Sequence, residues 1–145
     1  DMLNFLVGPL QVVKVGEPIN DFFPDDPTIP AWLIGPDGVS VHMACGHAED
    51  YAIFELQLVF SGGVLTMEDG GLFWRERRVV ESDVFKGYRV LDGGVRCAGG
   101  DGQSMCGAVD NIYRAIMRGD PMASTVESAL VAQRLCEQIR NLAIA

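Results

Sequence analysis

The C-terminal part of the chain carries the strongest local signals, two consecutive amphipathic helices. The first is predicted over Ser104–Arg118, where apolar residues recur at three- and four-residue spacing and share one face. Gly119 stands where a left-handed C-terminal cap belongs, and Pro121 prevents the helix from continuing. Helices of this kind need a surface that buries their apolar stripes, and the preceding residues must build it.

The second helix is predicted from residue 126 to about residue 142. It begins with Ser124-Thr125-Val126-Glu127, which is typical of a capping box. In that motif the Ser124 hydroxyl accepts the Glu127 amide, and the Glu127 carboxylate accepts the Ser124 amide. Because the segment is apolar on most sides, we expect burial on more than one face.

Alternation of polar and apolar residues predicts short strands before these helices. The clearest strand is residues 51–60, in which Ala52, Phe54, Leu56, Leu58 and Phe60 share the apolar face, and Ile53, Glu55, Gln57 and Val59 share a mixed face. Further strands are predicted at residues 10–15, 39–44, 64–67, 72–77, 79–80 and 88–91. Residues 92–103 are rich in glycine and predict a flexible connection.

Residues 20–38 predict an irregular acidic loop, because they contain four prolines and four aspartates. The loop also holds Phe22, Phe23 and Trp32. These aromatic side chains fit either a binding wall or simple docking onto the core.

The order of elements is a helix end, many short strands and then two helices. This order predicts an α+β fold with an open, mostly antiparallel or mixed sheet, helices on one face and the other face free. The length of 145 residues fits a single domain, 1–145. Strands and helices do not alternate as a dinucleotide-binding domain requires.

The net charge of −9 argues against nucleic acid or an anionic membrane as a partner. No apolar run approaches the ~18 residues that a membrane helix needs. The four cysteines, Cys45, Cys97, Cys106 and Cys136, form no C-x-x-C pair, so the sequence predicts a reduced, cytoplasmic protein without a zinc or redox motif.

Two clusters could carry chemistry. His42, Cys45 and His47, with Glu49 or Asp50, suggest a metal site, but the two histidines would face opposite sides of a strand, so we predict no metal. Arg75, Arg77 and Arg78 could bind a carboxylate or sugar hydroxyls, or could pair on the surface with Glu76 and Glu81. The residues alone form no complete catalytic set.

Several stretches together resemble one known family. Residues 49–65 resemble its "E-D, apolar strand, glycine turn, apolar strand" signature, and residues 108–121 its penultimate helix ending in Gly-x-Pro. Residues 124–139 resemble its closing helix, and residues 1–9 the end of the helix that carries its H-x-x-D motif, with Asp1 as the aspartate. The chain as a whole resembles the C-terminal domain of the glucose–fructose oxidoreductase / inositol dehydrogenase / rhizopine-catabolism (Gfo/Idh/MocA) family. Residues 19–38 and the stretch near residue 100 are less typical.

The resemblance implies a parent enzyme that transfers hydride between NAD or NADP and a sugar, polyol or similar hydroxyl compound. This chain would be its substrate-side and oligomerisation domain. The Rossmann domain, catalytic lysine and catalytic histidine would lie outside it, so no catalytic residue and no bound cofactor are expected, and the chain alone should be inactive.

Asp1 is the one position that the resemblance assigns to substrate contact; the alternative is an ordinary helix-surface carboxylate. Homo-oligomers are expected to form through the bare sheet face, where Ile53 and Val59 would be exposed. The competing hypothesis is a stand-alone, non-catalytic α+β module that binds a ligand or mediates dimerisation.

Overall fold

A computed structural model describes residues 1–19, 26–47 and 49–144. The predictions for Phe22 and Phe23 fall outside these residues. Helices and mostly antiparallel sheets confirm the α+β class. The helices are α1 (Met2–Val7), α2 (Ser104–Arg118) and α3 (Val126–Ile144). The strands are β1 (Gln11–Val15), β2 (Ala31–Ile34), β3 (Ser40–Met43), β4 (Leu56–Phe60), β5 (Gly63–Glu68), β6 (Phe73–Glu81), β7 (Arg89–Leu91) and β8 (Val95–Ala98).

Contacts divide the chain into two compact units. Unit 1 contains Asp1–Ala52 and Pro121–Ala145, and unit 2 contains Ile53–Asp120. Unit 1 has an antiparallel sheet of order β1-β2-β3, and α3 packs against β1. Among the described residues, its core contains four buried side chains, Ile29, Ala31, Leu33 and Ile139.

Strand β2 lies at the centre of that sheet, inside the stretch predicted to be an irregular loop. Ala31 and Leu33 are buried, whereas Trp32 and Ile34 on the opposite face are exposed. The loop prediction is wrong here because the prolines flank the strand and do not interrupt it: Pro30 precedes β2 and Pro36 follows it. The residues between them keep every backbone donor and can pair on both sides.

Unit 2 contains the second sheet, of order β4-β5-β6-β7, with β8 also paired to β6. The pieces predicted at residues 72–77 and 79–80 are one strand, β6, which is long enough to pair with β5, β7 and β8. The predicted strand at residues 51–60 is shorter than expected, because only Leu56–Phe60 pair with a neighbour.

Strand β8 lies within the stretch predicted to be a flexible connection. Its end approaches the turn before β6 closely, since the Gly99 amide donates to the Leu72 carbonyl over 2.7 Å. A Cβ at residue 99 would overlap the Gly71 carbonyl oxygen, so glycine permits this approach. The glycines here allow close pairing, and the prediction of a flexible segment is wrong.

The two long helices have the predicted bounds within a few residues, but they do not cover one shared sheet. Helix α3 packs on unit 1, whereas α2 adjoins the short 3-10 turn Asp101–Gln103 in unit 2 and contains no buried residue. The strands divide into two sheets, so each helix belongs to a different unit. The prediction of one sheet beneath both helices is wrong in this respect.

Helix α3 is buried along a single stripe, in which Ile139 is buried and Leu135 and Ala143 are half-buried against the core. Burial on more than one face, expected from its composition, is therefore not observed. The C-terminal cap of α2 is confirmed: Gly119 has φ 73°, and its amide donates to the Ala115 carbonyl over 3.1 Å. Within the residues that the structure describes, no helix has the length and apolar character needed to cross a membrane.

Candidate functional site

Asp1, the residue that the resemblance assigns to substrate contact, precedes α1 in unit 1. Its carbonyl accepts the Phe5 amide over 3.0 Å, but its carboxylate makes no capping hydrogen bond to the helix. Helix α1 ends at Gly8, where φ is 85° and the amide donates to the Asn4 carbonyl. The short helix thus holds Asp1 at an exposed position with its carboxylate available for other donors.

A groove of about 530 Å³ runs beside Asp1 in unit 1. It is lined by residues from both ends of the chain: Asp1, Met2, Asn4, Phe5, Pro9, Ala123, Ser124, Ser128 and Val131. Of the described residues in this lining, only Asp1 has an ionisable side chain. The remaining polar groups are an amide and two hydroxyls, so the groove offers hydrogen bonds and a single negative charge against an apolar wall.

The start of α3 forms one end of this groove, and its cap lies one residue later than predicted. The Ser128 amide donates to Thr125 Oγ1 over 3.3 Å, and the Thr125 amide donates to Ser128 Oγ over 3.0 Å. This reciprocal pair is the capping box, so the predicted pairing of Ser124 with Glu127 is wrong. Ser124 lies outside the helix and its side chain lines the groove instead.

Glu127 nevertheless stabilises the first turn of α3. A hydrogen bond from the Thr125 side chain and a second from its own amide lower the pKa of the Glu127 carboxyl. A carboxylate is favoured here because the amides at a helix N-terminus carry partial positive charge.

Asn4 supplies the polar group of the groove that sequence reasoning missed. Its side-chain oxygen Oδ1 is buried and has no hydrogen-bond partner among the described residues. A buried acceptor without a donor is costly, and such groups are uncommon in folded proteins. Neither motif nor spacing marks Asn4, because its surroundings come from the other end of the sequence.

In unit 2, the arginine cluster on β6 is engaged by neighbouring acceptors. Arg78 Nε lies 2.8 Å from Glu76 Oε1, which agrees with the predicted alternative of surface pairing. Arg75 Nε instead contacts Glu68 over 2.7 Å, and Arg77 Nε donates to the Asp92 carbonyl over 2.9 Å. These contacts support surface pairing over a carboxylate or sugar site, although Glu81 is not among the partners.

Glu68 is the centre of a small charged network that sequence reasoning missed. Arg75 and Arg96 each contact its carboxylate over 2.7 Å, and these hydrogen bonds lower the pKa of Glu68. Arg96 also contacts Asp69 over 3.1 Å, and its guanidinium lies 3.6 Å above the Phe73 ring. Arg96 enters the network only because β8 pairs with β6, which the sequence did not predict.

The two histidines of the metal site that the sequence suggested, His42 and His47, lie in different surroundings. His42 lies on β3, where its ring stacks on Trp32, whereas His47 lies beyond β3 and its Nδ1 accepts the Glu49 amide over 3.3 Å. Burial raises the pKa of the Cys45 thiol between them. Among the described residues, no three His, Cys, Asp or Glu side chains are close enough together to hold a metal ion.

The region around β4 exposes large apolar side chains. Val59 is 73% exposed and Phe60 61% exposed, and Ile53 and Phe54 before the strand are also exposed. The expected exposure of Ile53 and Val59 is therefore observed, while Leu56 and Leu58 of the apolar face are half-buried.

No protein-family model, curated protein or solved structure matches this chain at a significant level. The functional assignment therefore rests on the residues and their geometry.

Proposed function

We propose that this chain is the substrate-side and oligomerisation domain of an NAD(P)-dependent oxidoreductase acting on a sugar, a polyol or a related hydroxyl compound. The observation that carries the proposal is the groove beside Asp1 in unit 1. The family resemblance assigns this aspartate to substrate contact, and the groove brings other hydrogen-bonding groups beside it.

The chemistry of the groove suits a neutral polyol. The Asp1 carboxylate accepts hydrogen bonds, and the Ser124 hydroxyl can donate or accept them. Hydroxyl groups of a polyol supply the donors that these acceptors require. The apolar wall, which includes Phe5 and Val131, suits the C–H faces of a sugar ring.

The cofactor would be held by a nucleotide-binding domain in the parent enzyme. Within the described residues, every strand pair is antiparallel, and no strand–helix–strand unit with parallel strands is present. A dinucleotide-binding fold requires such units. Catalysis would then depend on the parent enzyme's cofactor and acid–base groups.

Homo-oligomerisation would use the exposed residues around β4 in unit 2. Val59, on the face expected to be bare, and Ile53, just before the strand, are both exposed and offer apolar area of the kind that protein contacts cover. All four cysteines are free, which is consistent with a cytoplasmic, reduced location for the protein.

The proposal is tested by titrating the chain with myo-inositol and measuring the chemical shifts of its backbone amides. We expect shifts confined to the groove and about tenfold weaker binding for Asp1→Asn, because a hydrogen bond to a charged acceptor contributes about 1.5–3 kcal/mol. Asp37→Asn is the matched control, since Asp37 is an exposed aspartate of unit 1 outside the groove lining.

NAD and NADP are titrated separately against the same chain. We expect no saturable binding of either nucleotide. Micromolar affinity would contradict the proposal that a separate domain of the parent enzyme binds the cofactor. Equal myo-inositol binding by Asp1→Asn and by the unsubstituted chain would contradict the role of Asp1.

The second candidate is a stand-alone ligand-binding or dimerisation module, which the groove and the exposed β4 region also favour. The gene discriminates between the two. An upstream reading frame encoding a strand, a G-x-G-x-x-G turn and a helix supports the oxidoreductase. A start codon directly before Asp1 supports the module.

A further inference from the structure

The outer face of the unit 1 sheet carries a row of three side chains that the proposed function does not use. The strand register places Lys14 of β1 opposite Trp32 of β2, and Trp32 opposite His42 of β3. Neighbouring strands are about 4.8 Å apart, so the three side chains are adjacent. Trp32 lies on the face opposite Leu33, because successive side chains of a strand point to opposite faces.

Hydrogen bonds and stacking fix the orientation of Trp32. Its indole Nε1 donates to Ser40 Oγ over 2.9 Å, and Ser40 Oγ lies 2.9 Å from His42 Nε2. The indole and imidazole rings are stacked, with centroids 5.6 Å apart and planes inclined by 14°. A rigid aromatic ring contributes contact area at low entropic cost when a ligand binds.

The ring remains accessible although its polar atom is satisfied. Trp32 is 43% exposed. A shallow depression of about 250 Å³ lies beside it and is lined by Lys14, Val15, Gly16, Pro30, Ala31, Trp32, His42, Met43 and Ala44. Pockets for drug-sized ligands measure roughly 300–1,000 Å³, so this depression suits a smaller molecule.

Lys14 determines the charge that this depression can accept. Among the described residues, it is the only lysine or arginine in the lining, and none of the described lining residues is acidic. The Lys14 ammonium makes no hydrogen bond or ion pair with any residue that the structure describes. A cation would be repelled by the Lys14 ammonium, whereas a carboxylate would gain a direct partner.

We propose that this surface, formed by Lys14, Trp32, Ser40 and His42, binds a small monocarboxylate that contains a flat ring. The ring lies against the exposed indole of Trp32, and the carboxylate contacts the Lys14 ammonium. The chain carries a net charge of −9, so Lys14 supplies the local attraction that lets an acid approach. The site is separate from the groove beside Asp1, and its ligand is a ring acid and not a neutral polyol.

The test uses benzoate as the probe and the indole N–H resonance of Trp32 as the readout. The chain contains two tryptophans, Trp32 and Trp74, so Trp74→Phe leaves only the Trp32 indole signal. We expect a saturable shift of that signal with benzoate, and weaker binding of benzyl alcohol and of acetate, which each lack one half of the proposed ligand.

The charge contact is tested with the two lysines of the chain, Lys14 and Lys86. We expect Lys14→Gln to weaken benzoate binding about threefold to fivefold, because an exposed ion pair contributes at most about 1 kcal/mol. Lys86→Gln in unit 2 should leave binding unchanged. An indole shift in each ligand-free variant equal to that of the unsubstituted chain would show that the stacking of Trp32 on His42 is intact.

Three results would overturn the proposal: no saturable shift with benzoate, equal weakening by both lysine substitutions, or acetate binding as tightly as benzoate. Asp1→Asn should not affect benzoate binding. The outcome is therefore independent of the myo-inositol experiment.

Discussion

The two units of the chain differ in how far they bury their apolar residues. In unit 1, Leu33 is fully buried beneath Ile139 of α3 and the neighbouring strands. In unit 2, the buried hydrophobic residues of the described chain are Val64 and Met67, both on β5. Helix α2 leaves its apolar side chains exposed, including Ile116 at 76%.

This difference shows what a second layer adds to a sheet. Both sheets satisfy their backbone groups by antiparallel pairing. Pairing alone leaves both faces open to water, and the hydrophobic effect requires another element on at least one face. Unit 1 has that element in α3, whereas unit 2 leaves apolar side chains such as Val59 and Ile116 exposed.

The largest expected effect is the loss of the unit 1 core. Leu33→Ala should lower the free energy of unfolding by about 2–5 kcal/mol, because it removes fully buried methyl groups and leaves a cavity. The matching change in unit 2, Met67→Ala, should lie near the lower end of that range, since fewer buried neighbours surround it. Urea unfolding measures both.

Ile34→Ala is the control for the first comparison, because Ile34 is next to Leu33 but on the exposed face. Ile34→Ala should lower the free energy of unfolding by only about 0.5 kcal/mol. If Met67→Ala destabilised the chain more than Leu33→Ala, the contrast between the two units would be wrong.

A smaller effect is expected at the start of α3, the helix that distinguishes unit 1. Thr125→Ala should cost about 1 kcal/mol, because it removes the side-chain acceptor of the capping box. Ser124→Ala should change stability by less than about 0.5 kcal/mol, since Ser124 lies outside the box. Thermal unfolding measures both effects. A larger effect of Ser124→Ala than of Thr125→Ala would support Ser124, the residue predicted from the sequence, as the cap of α3.

The smallest effect is expected from the charged network of unit 2. Arg75 and Arg96 lower the pKa of Glu68 in the folded chain. Its ionised form therefore stabilises the fold above the unfolded pKa of about 4.3, and this contribution is lost as the pH falls through the folded pKa. The stability advantage over Glu68→Gln should be present at neutral pH and shrink in acid.

Urea midpoints between neutral pH and pH 3 measure this convergence. Glu55→Gln, at an exposed carboxylate of the same unit, is the matched control for the substitution itself. High salt should reduce the effect of Glu68→Gln, because mobile ions screen partly exposed pairs. A pH-independent difference between Glu68→Gln and the unsubstituted chain would show that the ion pairs contribute nothing.

The candidate sites differ in how far the sequence could predict them. Resemblance pointed to Asp1, and residue type pointed to the arginines of β6. The groove itself was not predictable, because Asn4 and Ser128 come from opposite ends of the chain. The stacking of Trp32 on His42 likewise required the strand register, which no local pattern specifies.

The sequence by itself determined the helix bounds, the Gly119 cap and most strand positions, since these depend on hydrogen bonds and side chains within a few residues of one another. Only the tertiary structure decided that the strands form two sheets, that β2 is central and that α3, not α2, covers a core. The physical reason is that strand pairing and burial depend on partners distant in sequence. A local alternation of residues looks the same whichever partner a strand acquires.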